Sequence, residues 1–233
     1  MRKDVVIVID TYNEADNIEN LLNQLVEYRV FIVDDNSPDG TGKLAVRYKN
    51  VHVLTRSEDR GIASAYHLGF RRALEFNPKY IIQMDAGLTH DPKVIPLMLS
   101  MMDYYKFINV IIGSRFKDYG GSSKGYRTFI SKGAAYLMSK LVGRTLMDAT
   151  SGFRCWREDV LRDIIRCRPL RFESEGFSFQ LETLYLAVKL TNKYSIIETP
   201  IEYKLTNSSF KYKMIFEAFW IYLDLLKEKL WGS

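Results

Sequence analysis

Histidine and cysteine are scarce, with three of the first and two of the second in 233 residues. Cys155 and Cys167 stand too far apart for a Cys-x-x-Cys pair and form no disulfide framework. With so few histidines, they argue against a zinc site. No uninterrupted apolar run approaches the roughly 18 residues of a membrane-spanning helix. The first apolar run, 5–9, is also too short for the core of a signal peptide. The expectation is a chain kept on the cytoplasmic side, peripheral at the cytoplasmic face of a membrane. A dense Lys/Arg stripe is missing too, so nucleic acid is not an expected partner. The net charge of +5 suits anionic substrates or an anionic membrane surface. Repeats, low-complexity tracts and Pro/Gly/Ser-rich linkers are absent, and 47% of the residues are hydrophobic. That favours one domain with a sizeable core over residues 1–210, followed by a terminal amphipathic helix over 211–233.

Short β-branched runs alternate with helical patterns through the first half. Strands are expected at 5–9, 30–33, 51–54, 80–84 and 110–113, and helices at 17–28, 41–49, 62–76 and 92–104. Strict alternation implies parallel pairing through right-handed crossovers, hence an α/β sheet covered on both faces. The second half is less regular. It suggests helices at 127–141, with Ile130, Ala134, Leu137 and Leu141 inward, and at 178–190, a strand at 194–198, and a long helix at 211–231. Phe216, Phe219 and Trp220 of that last helix, with Lys211, Lys213, Lys227 and Lys229, suit either an interfacial anchor or packing against the domain or a second copy.

Ligands of open α/β sheets sit at the carboxyl ends of the strands. Acidic residues gather there in this sequence. Asp10-Thr11-Tyr12-Asn13-Glu14 follows the first strand. Val33-Asp34-Asp35-Asn36-Ser37-Pro38-Asp39-Gly40-Thr41 closes the second. Gln83-Met84-Asp85-Ala86-Gly87-Leu88-Thr89-His90-Asp91-Pro92 closes the fourth. Further on come Gly113-Ser114-Arg115, then Arg127, Ser131 and Gly133, then Thr150-Ser151-Gly152-Phe153-Arg154. The series ends with Gly176-Phe177-Ser178-Phe179-Gln180-Leu181-Glu182 and Glu198-Thr199-Pro200-Ile201.

In order and spacing these blocks resemble the inverting glycosyltransferases of family 2, and within them the dolichol-phosphate mannose synthase-like branch. The resemblance runs from about Val5 to Lys211. It implies a GT-A fold: a Rossmann-like, mostly parallel sheet with helices on both faces. It implies transfer of a hexose, mannose or glucose, from a nucleotide diphosphate sugar such as GDP-mannose or UDP-glucose to a polyprenyl or dolichyl phosphate. By the same resemblance Tyr12, Glu14, Val33 and Asp35 hold the nucleoside. Asp85 and Ala86 begin an Asp-x-Asp motif that binds ribose and a magnesium or manganese ion, with Thr89 close by. Arg115 binds phosphate, and Lys211 aligns loosely with a late lysine that does the same. Arg115, Arg127 and Ser131 are the expected holders of the acceptor phosphate. A small membrane subunit joins the membrane surface among the implied partners.

Three positions depart from the family pattern. Gly87 replaces the second aspartate of the motif, Asp10 stands where proline usually precedes Thr-Tyr-Asn-Glu, and Thr206 takes the place of an arginine. Magnesium needs only one or two protein carboxylates beside substrate phosphates. Asp85 alone could therefore serve, with Asp10 on a neighbouring strand end to compensate. Two further readings stay open at this point: a family 2 enzyme with a non-lipid acceptor, and a degenerate member that binds nucleotide with weak or no turnover. A lipid monophosphate is already largely ionised at neutral pH, its second pKa being about 6. It needs no general base, which fits the lack of an obvious catalytic histidine; His90 reads as structural, and Arg154 reads equally well as pinning a loop or touching substrate.

Overall fold

Valine and isoleucine fill 5–9, and the chain extends there into β1, Arg2–Thr11. The computed structural model describes residues 1–58, 61–116, 126–167, 178–190, 195–203 and 213–231; the side chains of 126, 127, 195 and 213 fall outside the description. After β1 come α1 (Ala15–Asn23), β2 (Tyr28–Asp34), α2 (Thr41–Ala45), β3 (Val51–Thr55), α3 (Ile62–Leu74) and β4 (Tyr80–Asp85). A 3-10 turn, Pro92–Val94, leads into α4 (Ile95–Tyr104) and β5 (Ile108–Ser114). The second half supplies α5 (Tyr126–Val142), β6 (Arg154–Arg157), α6 (Glu158–Cys167), α7 (Ser178–Leu190), β7 (Ser195–Pro200) and α8 (Lys213–Trp231).

The seven strands form one sheet in the order β3-β2-β1-β4-β6-β5-β7. Every pairing is parallel except the two made by β6, which runs antiparallel between β4 and β5. The expected direct succession of parallel strands from the fourth to the fifth is thus corrected. The inserted strand is only four residues long and carries arginine at both ends, a pattern that reads as loop. Its middle residues, Cys155 and Trp156, are fully buried on opposite faces of the sheet.

From β1 the chain moves outward to β2 and β3, then crosses back to place β4 on the other side of β1. This reversal puts α1, α2 and α4 on one face, over Val5, Ile7 and Ile9, and α3 with α5 to α8 on the other, over Val6 and Val8. The β1/β4 crevice is the point where the strand order switches, the place such sheets use for ligands.

Helix ends differ from expectation where tertiary pairing claims residues. Tyr28 joins β2 rather than α1, and α2 stops at Ala45. Ala135, Met138 and Leu141 form the deep face of α5, so the expected stripe is turned; Ile130, Ala134 and Leu137 instead border a groove shared with α8. Along α8, Ala218, Ile221 and Leu225 pack into the core beside α5 and α7. Ser178 Oγ donates to the Glu217 carboxylate, fastening α7 to α8.

Candidate functional site

Asp10 and Asp85 are Cα register partners at the ends of β1 and β4. Both side chains fall on the α3 face, where the buried Tyr66 hydroxyl lies 3.1 Å from the Met84 carbonyl and 3.4 Å from Asp85 Oδ1. Burial, with the charge of Asp85 behind it, pushes the Asp10 carboxyl up to about 7. Asp85 is more open, its side chain 47% exposed. Gly152 approaches it from below: a Cβ there would come within 2.9 Å of Asp85 Oδ1.

His90 is buried and stacks on Phe153 with ring centroids 5.0 Å apart. Its Nδ1 accepts from the Asp85 backbone N–H at 3.4 Å, which leaves the proton on Nε2, 3.8 Å from Asp85 Oδ2. Burial holds its pKa below the ordinary histidine range against the pull of Asp85, so the ring is a neutral prop for the strand end.

The loops after β1 and β2 are stitched to one another. Ser37 Oγ accepts from the Asn13 N–H at 3.0 Å, Thr41 Oγ1 from Glu14 N–H at 2.9 Å, and Asp39 from Ala15 N–H at 2.9 Å. Asp34 accepts from Ser37, so the first acid of the pair braces the turn. Asp35 instead meets Arg56, whose Nε donates at 2.8 Å, and the Gly61 N–H at 3.1 Å. Val33 is fully buried with its side chain against Gly69 of α3, so only its backbone faces the rim. Tyr12 is 52% exposed. Glu14 accepts from Asn17 Nδ2 at 2.7 Å and points at the motif loop, where a Cβ on Gly87 would lie 3.1 Å from its Oε1. Ala86 and Thr89 are buried beside it in sequence.

Arg115 continues from β5 and forks onto the buried Asp148, Nε to Oδ2 and Nη2 to Oδ1 both at 2.7 Å, with Thr150 Oγ1 also at 2.7 Å. Glu198 in turn accepts from the Met147 and Asp148 N–H groups. Arg154 is wholly buried and donates to the carbonyls of Ala149, Ser151 and Gln180 at 2.8 to 3.0 Å. It pins the loop that presents Gly152 to Asp85. Gln180 accepts from Gln83 at 3.0 Å and cross-links the core. Ser131 is half-buried on α5. The side chain of Arg127, the 205–206 pair and Lys211 lie outside the described residues.

Among the described residues, four buried polar side-chain atoms have no hydrogen-bond partner, and three belong to this rim: Asp10 Oδ1, Thr11 Oγ1 and Thr89 Oγ1. Buried polar atoms are seldom left so, and these three lie at the end of β1 and in the loop after β4. No group of three or more metal-ligating side chains occurs among the described residues.

Residues 6–165 match the family model described as "Glycosyl transferase family 2". The chain belongs to that family. An undecaprenyl-phosphate mannosyltransferase of Micrococcus luteus is 33% identical over 210 residues, 85% of this chain and 83% of its own. A polyprenol monophosphomannose synthase of Mycolicibacterium smegmatis is 29% identical, across 92% of this chain and 86% of its own. Among solved structures, glucosyl-3-phosphoglycerate synthase of Mycobacterium tuberculosis, in complex with Mn2+, uridine diphosphate and phosphoglyceric acid, superposes with a TM-score of 0.70. That likeness, at 15% identity over 95% of this chain and 78% of the other, shows the fold: GT-A, as expected.

In this glycosyltransferase the rim holds Asp10, Tyr12, Glu14, Val33, Asp35, Asp85, Ala86 and Thr89 together around the switch point, while Arg115 and Ser131 stand on the β5 and α5 side. Sequence reasoning missed Arg56, Tyr66 and Asp148. An arginine directly after a strand that ends on the acidic rim was a usable signal for Arg56. Nothing local marks Tyr66 or Asp148, which act through partners far along the chain.

Proposed function

We propose that the protein transfers a hexose, mannose foremost, from a nucleoside diphosphate sugar to a polyprenyl phosphate. The observation that carries this is the switch-point rim, with its carboxylate pair and unsatisfied polar atoms, in a chain 33% identical to a mannosyltransferase named for undecaprenyl phosphate. Tyr12, Glu14 and the Asp35–Arg56 pair border the nucleoside, with the Val33 backbone behind them. Asp85, Ala86 and Thr89 take the ribose and diphosphate. The orphaned Asp10 Oδ1 and the half-open Asp85 fit a divalent cation. Magnesium or manganese held there would neutralise the charge that grows on the departing nucleoside diphosphate.

On the other side of the rim, Arg115 is oriented by Asp148 and Thr150, and with Ser131 and Arg127 it is assigned to the acceptor phosphate. A hollow of about 710 Å3 opens beside it, where the described lining includes Lys132, Lys140 and Arg144 and no carboxylate. The acceptor phosphate attacks the anomeric carbon as an already ionised nucleophile, so the chain has only to aim it and exclude water. Above α5, an apolar groove of about 220 Å3 lies between Phe129, Ile130, Leu137, Ile215, Phe219 and Tyr222. It suits the isoprenoid chain, with the exposed aromatics of α8 against a lipid surface. Among the described residues no helix is long and apolar enough to cross a membrane, so attachment at the cytoplasmic face is assigned to this surface and to a small membrane subunit.

The test is a radiolabelled transfer assay with GDP-mannose and UDP-glucose, each with undecaprenyl phosphate in detergent. Label partitioning into organic solvent from GDP-mannose is the expected result. Label that stays with a water-soluble acceptor, or no transfer from either donor, would overturn the assignment.

A further inference from the structure

The loop position that the Asp-x-Asp pattern reserves for a second acid is tight for one in this chain. Gly87 occupies it, and a Cβ added there would stand 3.1 Å from Glu14 Oε1, so a carboxylate at 87 would meet another carboxylate. One strand over, at the topological switch point, the chain has another acid. Asp10 is the last-but-one residue of β1 and the register partner of Asp85. Adjacent strands are about 4.8 Å apart, and two oxygens on one magnesium or manganese ion stand about 3 Å apart, given bonds of about 2.1 Å. The two carboxylates are therefore spaced to share a cation with only small side-chain rotations.

The local bonding points the same way. Tyr66 has one hydroxyl proton and three acceptors around it: the Met84 carbonyl, Asp85 Oδ1 and the Asp10 carboxylate. Among the described residues no lysine or arginine ion-pairs with either acid, and His90 Nε2 comes no closer to Asp85 Oδ2 than 3.8 Å. Asp10 Oδ1 is wholly buried and receives no hydrogen bond at all. A buried carboxylate oxygen without a partner costs stability until a proton or a cation reaches it.

We infer that Asp10 is the second protein ligand of the divalent cation, so that a cross-strand pair, Asp10 with Asp85, replaces the acid missing from the motif loop at Gly87. The inference rests on the hexosyltransferase reading for the identity of the cation's other ligands, the donor's diphosphate oxygens. It assigns Asp10 a role that a proline could not fill.

Mn2+ binding to the full chain decides the matter without reference to turnover. Free Mn2+ is read by electron paramagnetic resonance in the presence of saturating GDP, and again with UDP, for the wild type, Asp10→Asn and Asp85→Asn. Both variants are expected to weaken Mn2+ at least tenfold with the nucleotide that the wild type prefers. Thermal melts without metal supply the second arm. Asp10→Asn should melt at the same temperature as the wild type or higher, because no hydrogen bond to Asp10 Oδ1 is lost, and should lose the Mn2+-dependent rise. Wild-type Mn2+ affinity in Asp10→Asn beside a large loss in Asp85→Asn would overturn the inference and leave the transfer reaction standing. A metal-free melting temperature several degrees lower in Asp10→Asn would overturn it too, by showing a structural role. Absence of hexosyl transfer in the wild type, with the Mn2+ pattern intact, would sink the functional reading alone.

Discussion

Arg56 grips Asp35 at the rim formed by the strand ends. Its Nε donates to Asp35 Oδ1 at 2.8 Å and its Nη2 to the same oxygen, while Nη1 reaches Ser64 Oγ at 2.7 Å and Nη2 the Gly61 carbonyl at 3.2 Å. Both partners are nearly covered, with side-chain exposures of 9% and 15%. The guanidinium therefore fixes the orientation of a carboxylate that would otherwise swing, and it ties the end of β2 to the start of α3.

Removing one member of such a pair leaves the other buried and alone, which typically costs about 3–5 kcal/mol. Arg56→Met should therefore lower the urea midpoint and weaken GDP or UDP binding in calorimetry. Arg56→Lys keeps the charge but cannot fork, so it should recover stability more than nucleotide affinity. Equal recovery of both by lysine would mean that charge alone matters and that the fork does not aim Asp35.

Gly152 separates the geometry of the site from its stability. No positive φ is recorded for it, so alanine suits its backbone; the obstacle is a Cβ 2.9 Å from Asp85 Oδ1. Gly152→Ala should push Asp85 aside and cut Mn2+-dependent nucleotide binding while leaving the melting temperature near that of the wild type. Gly143 is the opposite case, with φ +72° and open space around its Cβ position. Gly143→Ala should cost about 1–2 kcal/mol from left-handed strain and leave nucleotide binding intact. A common loss of binding in both variants would show that the first acts through general destabilisation.

Much of this was legible before any coordinates. The alternation of β-branched runs and helical stripes is local, so β1 to β5 and the acidic rim could be read directly. The rim follows from strand polarity, since parallel strands bring all their carboxyl ends to one edge. What escaped depends on distant partners. Strand β6 has no hydrophobic run; it exists because Arg154 finds three carbonyls and Trp156 finds Gln83, 3.2 Å from its Nε1. Helix α6 was missed despite a clear signal, with Glu158 and Asp159 in its first turn and Val160, Leu161 and Ile164 on one face. Asp10 was visible as a departure from pattern, but its empty oxygen and its register with Asp85 appear only when β1 and β4 pair.

Asp39 makes the loop stitching pH-dependent. Burial works to raise its carboxyl, and the donors of Thr41 and Ala15 outweigh it and hold the group below its ordinary value. A depressed acid contributes its stabilisation above the unfolded value of about 3.9 and loses it as pH falls through the lower folded value. Protection of the Ala15 and Thr41 amides, measured as exchange relative to the intrinsic rate at each pH, should therefore hold at neutral pH and fall only below about pH 4. Asp39→Ala should make both amides fast at neutral pH as well. Unchanged protection in that variant would show that Ser37 and Thr41 hold the two loops together without it.

The last helix offers the sharpest division between folding and attachment. Ile221 and Leu225 are buried on one side of α8, while Phe216, Phe219 and Trp220 are between 51% and 68% exposed on the other. Aromatic side chains placed in water next to an apolar groove gain more from a lipid interface than from solvent, and burial of each would recover about 25 cal/mol per Å2 of apolar surface. Leu225→Ala should cost about 2–5 kcal/mol of stability, as core truncations do. Replacing Phe216, Phe219 and Trp220 together by serine should leave the denaturation midpoint almost unmoved, yet release the protein from vesicles of mixed neutral and anionic lipid in a sedimentation assay. Transfer to undecaprenyl phosphate presented in those vesicles should fall with it, while nucleotide binding stays. A large stability loss in the triple variant would instead place those aromatics inside a protein contact, and retained vesicle binding would move the lipid surface elsewhere on the molecule.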